Sequence, residues 1–138
     1  MRALAIDYGD TRIGLALSDL TMTLAGKTLT IRGGSPDRAA SEIETVVREN
    51  GVTEIVLGYP KNMNATKGER AKKSEEFAVL LEKKLGLPVT LWDERLTTVS
   101  AHRILSDSGR RMKTHRKDVD AVAAALILEG YLARRDSL

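Results

Sequence analysis

Residues 2–18 read RALAIDYGDTRIGLALS. Two short runs, Arg2–Tyr8 and Arg12–Ser18, flank the turn residues Gly9 and Asp10. The first is apolar from Ala3 to Ile6, the composition of a strand covered on both faces. The second places Ile13, Leu15 and Leu17 at alternate positions. An alternating run that restarts after a short Gly-containing turn pairs back on its predecessor as a hairpin. Ala25–Arg32 repeats the pattern, Leu29 and Ile31 alternating with Thr28, Thr30 and Arg32. Three strands joined this closely are expected to be antiparallel.

Beyond Gly33-Gly34 the period changes. Ser35 has the chemistry of an N-cap and Pro36 that of a first helical residue. Apolar residues at 39, 40, 43, 46 and 47 predict a helix with one buried face, ended by Gly51. Thr53–Leu57 predicts a fourth strand stopped by Gly58 and Pro60, and Lys61–Gly68 a polar loop. Glu69–Leu85 predicts a second helix with Phe77, Leu81 and Leu85 on one face, and Leu87–Trp92 a fifth strand. Thr97 or Thr98 caps a third predicted helix running to about Ser108. Residues 109–117 are expected to form a mobile basic loop, and Asp118–Ala133 a last helix. Strands reached through helices should be parallel. The expectation is an α/β fold: one domain over residues 1–138, with a mixed five-stranded sheet, three antiparallel strands followed by parallel ones, flanked by helices.

The 138 residues are 42% hydrophobic and 30% charged, a balance that suits a folded domain. There is no cysteine, which excludes a disulfide scaffold, a thiolate zinc site and an iron–sulfur cluster. His102 and His115 are too few for a histidine-rich centre, so a metal would rest on carboxylates, the preference of Mg²⁺ or Mn²⁺. The apolar opening is too short for an export signal, and the longest apolar run, Ala121–Leu128, is too short to span a bilayer. A cytoplasmic location is the resulting expectation.

The formal charge is +3, unevenly spread. Residues 102–117 hold Arg103, Arg110, Arg111, Lys113, Arg116 and Lys117 against one acid, Asp107. A mildly acidic body with one basic arm is the pattern of a protein that meets phosphate at one place, although the same arm also reads as a solvated surface loop. Acids stand at strand ends and helix starts. Asp7 ends the run Ala3–Ile6, where a charge is costly unless neutralised. A divalent ion would serve, as would a salt bridge to Arg12 or a turn-capping role. Asp93 and Glu94 end the fifth strand, where sites gather in open α/β sheets, or where acids simply favour the next helix start. Asp118 suits an N-cap, and Asp120 lies in the first turn of the last helix, ahead of an Ala-rich stretch. Carboxylates converging beside a basic arm fit phosphodiester hydrolysis assisted by two metal ions.

Four segments carry a resemblance. Ala5–Asp19, Val56–Met63, Trp92–Thr98 and Lys117–Ala124 resemble, in order, the motifs of the bacterial YqgF/RuvX family, and the likeness extends over nearly the whole chain. The resemblance implies a ribonuclease H-like fold and a hydrolase acting on nucleic acid. Its members are described as processing the 5′ end of pre-16S rRNA in ribosome biogenesis and, alternatively, as Holliday junction resolvases. It implies that Asp7, Glu94 and Asp120 are the catalytic, metal-holding acids, with magnesium or manganese as cofactor. Arg12, Lys61, Asn62 and Arg95 fall in the same motifs and join Arg110, Arg111, Lys113, Arg116 and Lys117 as candidate nucleic-acid contacts. The implied partners are pre-rRNA or branched DNA and ribosomal particles, for a monomer or weak homodimer. Tyr59 replaces a usual Leu, and Asn64-Ala65-Thr66 a usual Asp-Gly-Thr. Two rival readings stand beside this one. Asp7-x-Gly9-x-Thr11 also resembles the phosphate-binding strand of actin-like and sugar-kinase ATPases, which need two such domains. A non-catalytic RNA- or ribosome-binding module would need the basic arm and not the acids.

Overall fold

The computed structural model describes residues 2–19, 25–59, 67–93 and 116–136. The helix expected from Thr97 to Ser108, the segment 61–66 and the basic stretch through His115 lie outside the described residues. The elements are β1 (Arg2–Tyr8), β2 (Arg12–Ser18), β3 (Ala25–Arg32), α1 (Pro36–Asn50), β4 (Val52–Tyr59), α2 (Lys67–Leu85), β5 (Val89–Asp93) and α3 (Arg116–Asp136).

The sheet order is β3-β2-β1-β4-β5. β1 pairs antiparallel with β2, and β2 with β3, in the registers Asp7↔Gly14 and Gly14↔Thr30. β4 lies parallel to β1 and β5 parallel to β4, through Ile6↔Leu57 and Gly58↔Trp92. The expected mixed five-stranded sheet is therefore present, with β1 at its centre.

Element ends follow local chemistry. Ser35 caps α1 by accepting from the Arg38 amide at 3.3 Å, Pro36 opens the helix, and Gly51 closes it at φ 64°. The Arg38 guanidinium donates to the carbonyls of Gly33 (2.6 Å) and Arg32 (3.1 Å), tying α1 to the end of β3. β4 runs on through Gly58 to Tyr59, past the expected stop at Leu57. Pairing with β5 at Gly58↔Trp92 and Tyr59↔Asp93 sustains the strand where its apolar run has ended. β5 starts at Val89 rather than Leu87, because Pro88 has no N–H to give. The Val89 amide donates to the Glu82 carboxylate of α2 at 3.1 Å. α3 is longer at both ends than the predicted Asp118–Ala133.

The two faces of the sheet differ in kind. Leu4, Ile6, Ile13, Leu15, Leu17, Ile55 and Leu57 pack under α1 and α2, with Ile43, Phe77 and Leu81. The opposite face is built from Ala3, Ala5, Ala16, Val56 and Trp92, packed against Ala124, Ile127, Leu128 and Leu132 of α3. Among the described residues no helix is long and apolar enough to cross a membrane.

Candidate active site

Because β1, β4 and β5 run parallel, Asp7, Gly58 and Trp92 arrive together at the carboxyl end of the sheet. Ala3 and Ala5 face α3, so alternation puts Asp7 on that face and Tyr8 on the other. Asp7 is half-buried there. Its partner across β2 is Gly14, and one step beyond Ile6↔Leu57 its neighbour in β4 is Gly58. The row at this level therefore reads Trp92, Gly58, Asp7, Gly14, Thr30 from β5 to β3. The carboxylate stands between two residues with no side chain.

Neither flanking glycine is needed for backbone conformation. Among the described residues the positive-φ glycines are Gly34, Gly51 and Gly86, and Gly14 and Gly58 are not among them. Both are buried, and neither sets a side chain against the carboxylate. Carboxylate oxygens are the donors a hard cation takes. Among the described residues no three acids or histidines stand together. Glu94 lies outside those residues, as do Lys61, Asn62, Arg95, Arg110, Arg111 and Lys113. Asp120 belongs to the first turns of α3, and Arg116 and Lys117 open that helix. Arg12 has the parity of Gly14 and Ala16, which places it on the Asp7 face. Trp92 closes the row at β5. It is buried, meets Tyr131 of α3 edge-on at 6.1 Å, and its Nε1 has no hydrogen-bond partner among the described residues. The Tyr131 hydroxyl donates to Glu54 at 3.1 Å, fixing α3 to β4.

The β1–β2 turn is held by close backbone approach. The Gly33 amide donates to the Thr11 carbonyl at 2.8 Å. A Cβ on Gly33 would sit 2.5 Å from the Asp10 carbonyl oxygen, and one on Gly9 2.5 Å from that of Arg12. Glycine is required at both positions, and the turn that follows Asp7 is locked against the end of β3.

On the opposite face, Tyr8 stacks on Phe77 with ring centroids 4.1 Å apart. Burial, followed by the charges of Asp10 and Glu76, raises the Tyr8 pKa above its ordinary value. Asp10 is exposed and pairs with Lys73 at 3.4 Å. Tyr59 donates to Glu75 at 2.5 Å, and that hydrogen bond raises the pKa of the phenol. An open cleft of about 600 Å³ lies between Tyr8, the start of α1 and the middle of α2. Sequence reasoning picked out Asp7 and missed both its glycine flanks and this cleft. Period-two parity puts Gly14 and Ala16 on one face of β2 and Val56 and Gly58 on one face of β4, but the strand registers are what bring both glycines beside Asp7.

Residues 1–134 match the family model described as RuvX, Holliday junction resolvase. The chain belongs to the RuvX family. It is 47% identical over 135 residues to a protein of Lachnospira eligens provisionally named a pre-16S rRNA nuclease, with 96% of each chain covered. It is 42% identical over 139 residues to a protein of the same name from Halothermothrix orenii, covering 100% of this chain and 99% of that one. RuvX is thus a family whose own description and whose members' names are those of nucleases. Among solved structures, Thermus thermophilus RuvC in complex with a Holliday junction superposes with a TM-score of 0.64 at 14% identity, covering 98% and 96% of the two chains. The large terminase nuclease of phage G20c superposes at 0.55 with 13% identity, over 94% of this chain and 80% of that one. The fold is RuvC-like, of the ribonuclease H type.

Proposed function

We propose that this protein is a divalent-metal-dependent nuclease that trims precursor 16S rRNA. The observation that carries the reading is Asp7. It is a half-buried carboxylate at the carboxyl end of the central strand, set between Gly14 and Gly58 on the face that α3 covers. Carboxylate oxygens are the donors that hard divalent cations take, and on either side of Asp7 the row carries no side chain. The family supports a nuclease, and the relatives' names supply the RNA substrate.

In this reading Asp7, Glu94 and Asp120 together hold Mg²⁺ or Mn²⁺, two ions in all. Asp120 belongs to α3, the helix that covers the Asp7 face, and Glu94 follows β5 in the sequence. When bound, such ions neutralise charge on the phosphodiester and acidify the attacking water. The side chains do the rest. Asp7 is positioned by the central strand and the locked turn after it. Arg12 presents a cation on the same face for the scissile phosphate. Lys61, Asn62 and Arg95 contact the strand beside it. Arg110, Arg111, Lys113, Arg116 and Lys117 hold the flanking phosphates. The whole chain acts as one nuclease domain.

The test is incubation of wild type and Asp7→Asn with a precursor rRNA fragment and a four-way DNA junction, each with Mn²⁺ or Mg²⁺. The expected result is RNA cleavage by wild type, none by the variant, and an uncut junction. Symmetric cutting of the junction would move the substrate to branched DNA and require a two-fold dimer. Undiminished cleavage by Asp7→Asn would remove Asp7 from the mechanism.

A further inference from the structure

The cleft on the α1–α2 face lies outside the acidic row, yet it starts from the residue next to Asp7. Its lining includes Tyr8, Phe77 and Leu80 as apolar surface, Asp10 and Glu76 as acceptors, and Lys73 as a donor. Its volume, about 600 Å³, falls within the range of small-ligand sites and exceeds what one aromatic ring needs. Phe77 is buried under Tyr8 in a near-parallel stack, 13° between the planes, while Tyr8 is half-buried and borders the cleft. A third flat ring would continue the stack. The locked Gly9–Thr11 turn and Gly33 keep this wall in place.

We infer that this cleft receives an unpaired nucleobase of the RNA, from the nucleotide adjacent to the one whose phosphate is at Asp7. The inference rests on the nuclease reading above and adds to it a determinant for single-stranded substrate. Asp7 and Tyr8 are consecutive on one strand and point to opposite faces, so a nucleic-acid chain crossing the end of the sheet at Asp7 meets the cleft next. Stacking of a base on an aromatic side chain adds affinity and tolerates any base. The two carboxylates discriminate. They accept from exocyclic amino groups, which adenine, cytosine and guanine carry and uracil lacks. Lys73, already near Asp10 at 3.4 Å, offers a donor to a ring carbonyl or a neighbouring phosphate. The same lysine opposes a cationic side chain, which is why a base is favoured over a basic peptide.

The experiment is fluorescence anisotropy in EDTA, so that binding is read without cleavage. Short single-stranded RNAs carrying one abasic site at successive positions are titrated onto wild type, Tyr8→Leu and Glu76→Gln. Leucine keeps an apolar side chain over Phe77 and removes the ring. Glu76 is exposed on α2, so its variant tests the cleft even where Tyr8→Leu fails to fold. In wild type, one abasic position is expected to weaken binding about tenfold, and Tyr8→Leu should abolish that penalty. Glu76→Gln should shrink the preference for adenine or cytosine over uracil at the same position by about fivefold. An abasic penalty that is equal at all positions, or is unchanged in Tyr8→Leu, would overturn the base pocket while leaving the nuclease reading standing. So would an arginine-rich peptide that binds wild type and not Glu76→Gln without displacing RNA. Absence of any RNA binding, together with absence of cleavage, would overturn both.

Discussion

The two faces of the sheet carry different residue sizes for different reasons. Under α1 and α2 the strands contribute Leu and Ile at almost every inward position, and the large buried side chains Leu4, Ile6, Ile13, Leu15, Leu17, Ile55 and Leu57 are at most 1% exposed. Under α3 the same strands contribute Ala3, Ala5, Gly14, Ala16, Val56 and Gly58, with Trp92 at the edge. Burial of a Leu or Ile side chain stabilises by roughly 1.5–3 kcal/mol, and an Ala contributes much less. The first face therefore supplies most of the hydrophobic stability. The second gives up apolar area and gains close approach of a helix to the sheet. In the proposed reading, a strand that is large on one side and small on the other at successive residues divides holding the fold together from holding the chemistry.

The sharpest break in that division is Asp7→Asn. Cleavage should fall by at least about a thousandfold, the scale of losing a group that acts in the transition state, roughly 4 kcal/mol. The melting temperature without metal should hold or rise slightly, because a half-buried charge has been removed. Rate measurements beside thermal melts separate the two effects. Leu57→Ala, one residue from Gly58 and on the opposite face, should do the converse. It should cost about 2–5 kcal/mol of stability by denaturant unfolding and leave the rate per folded molecule close to wild type. Gly58→Ala tests the bare position beside Asp7. Its backbone is not left-handed, and a methyl added at this buried position should weaken metal-dependent activity about tenfold. Full activity in this variant would show that the bare position beside Asp7 has no role.

Smaller effects are expected farther from the row. Replacing Arg110, Arg111 and Lys113 by Ser should weaken nucleic-acid binding for all sequences alike and flatten its salt dependence by roughly 0.7–0.9 in log–log slope per lost phosphate contact. An unchanged slope would return the arm to a solvated surface segment. Trp92→Phe keeps an aromatic ring against Tyr131 and deletes a buried N–H that has no partner among the described residues. Its stability should change by less than about 1 kcal/mol, since no hydrogen bond among the described residues is lost. A larger loss in the unfolding free energy would show that the indole N–H is paired in solution.

Much of this was legible in the chain. Alternation in Arg12–Ser18, the Ser35-Pro36 start and the Gly51 stop are local signals, and β2 and α1 lie where they predict. Element ends set by tertiary pairing were less legible. Gly58 reads as a strand breaker until β1 and β5 are known to pair on either side of it. Asp7 could be singled out because a charge after four apolar residues is anomalous in one dimension. Its flanks could not, because Gly14 and Gly58 become its neighbours through registers that link distant segments. The Tyr8 cleft was illegible for the same reason: Tyr8 and Phe77 are far apart in sequence and meet once α2 folds across the sheet.

The central claim is that the small-residue face holds a divalent cation at Asp7, and calorimetric titration of Mn²⁺ into wild type and Asp7→Asn tests it most directly. The account predicts saturable binding by wild type and at least tenfold weaker binding by Asp7→Asn, with both proteins equally folded by circular dichroism. Equal Mn²⁺ affinity in the two proteins would contradict it, and Asp7 would then be a charge neutralised within the fold rather than a ligand.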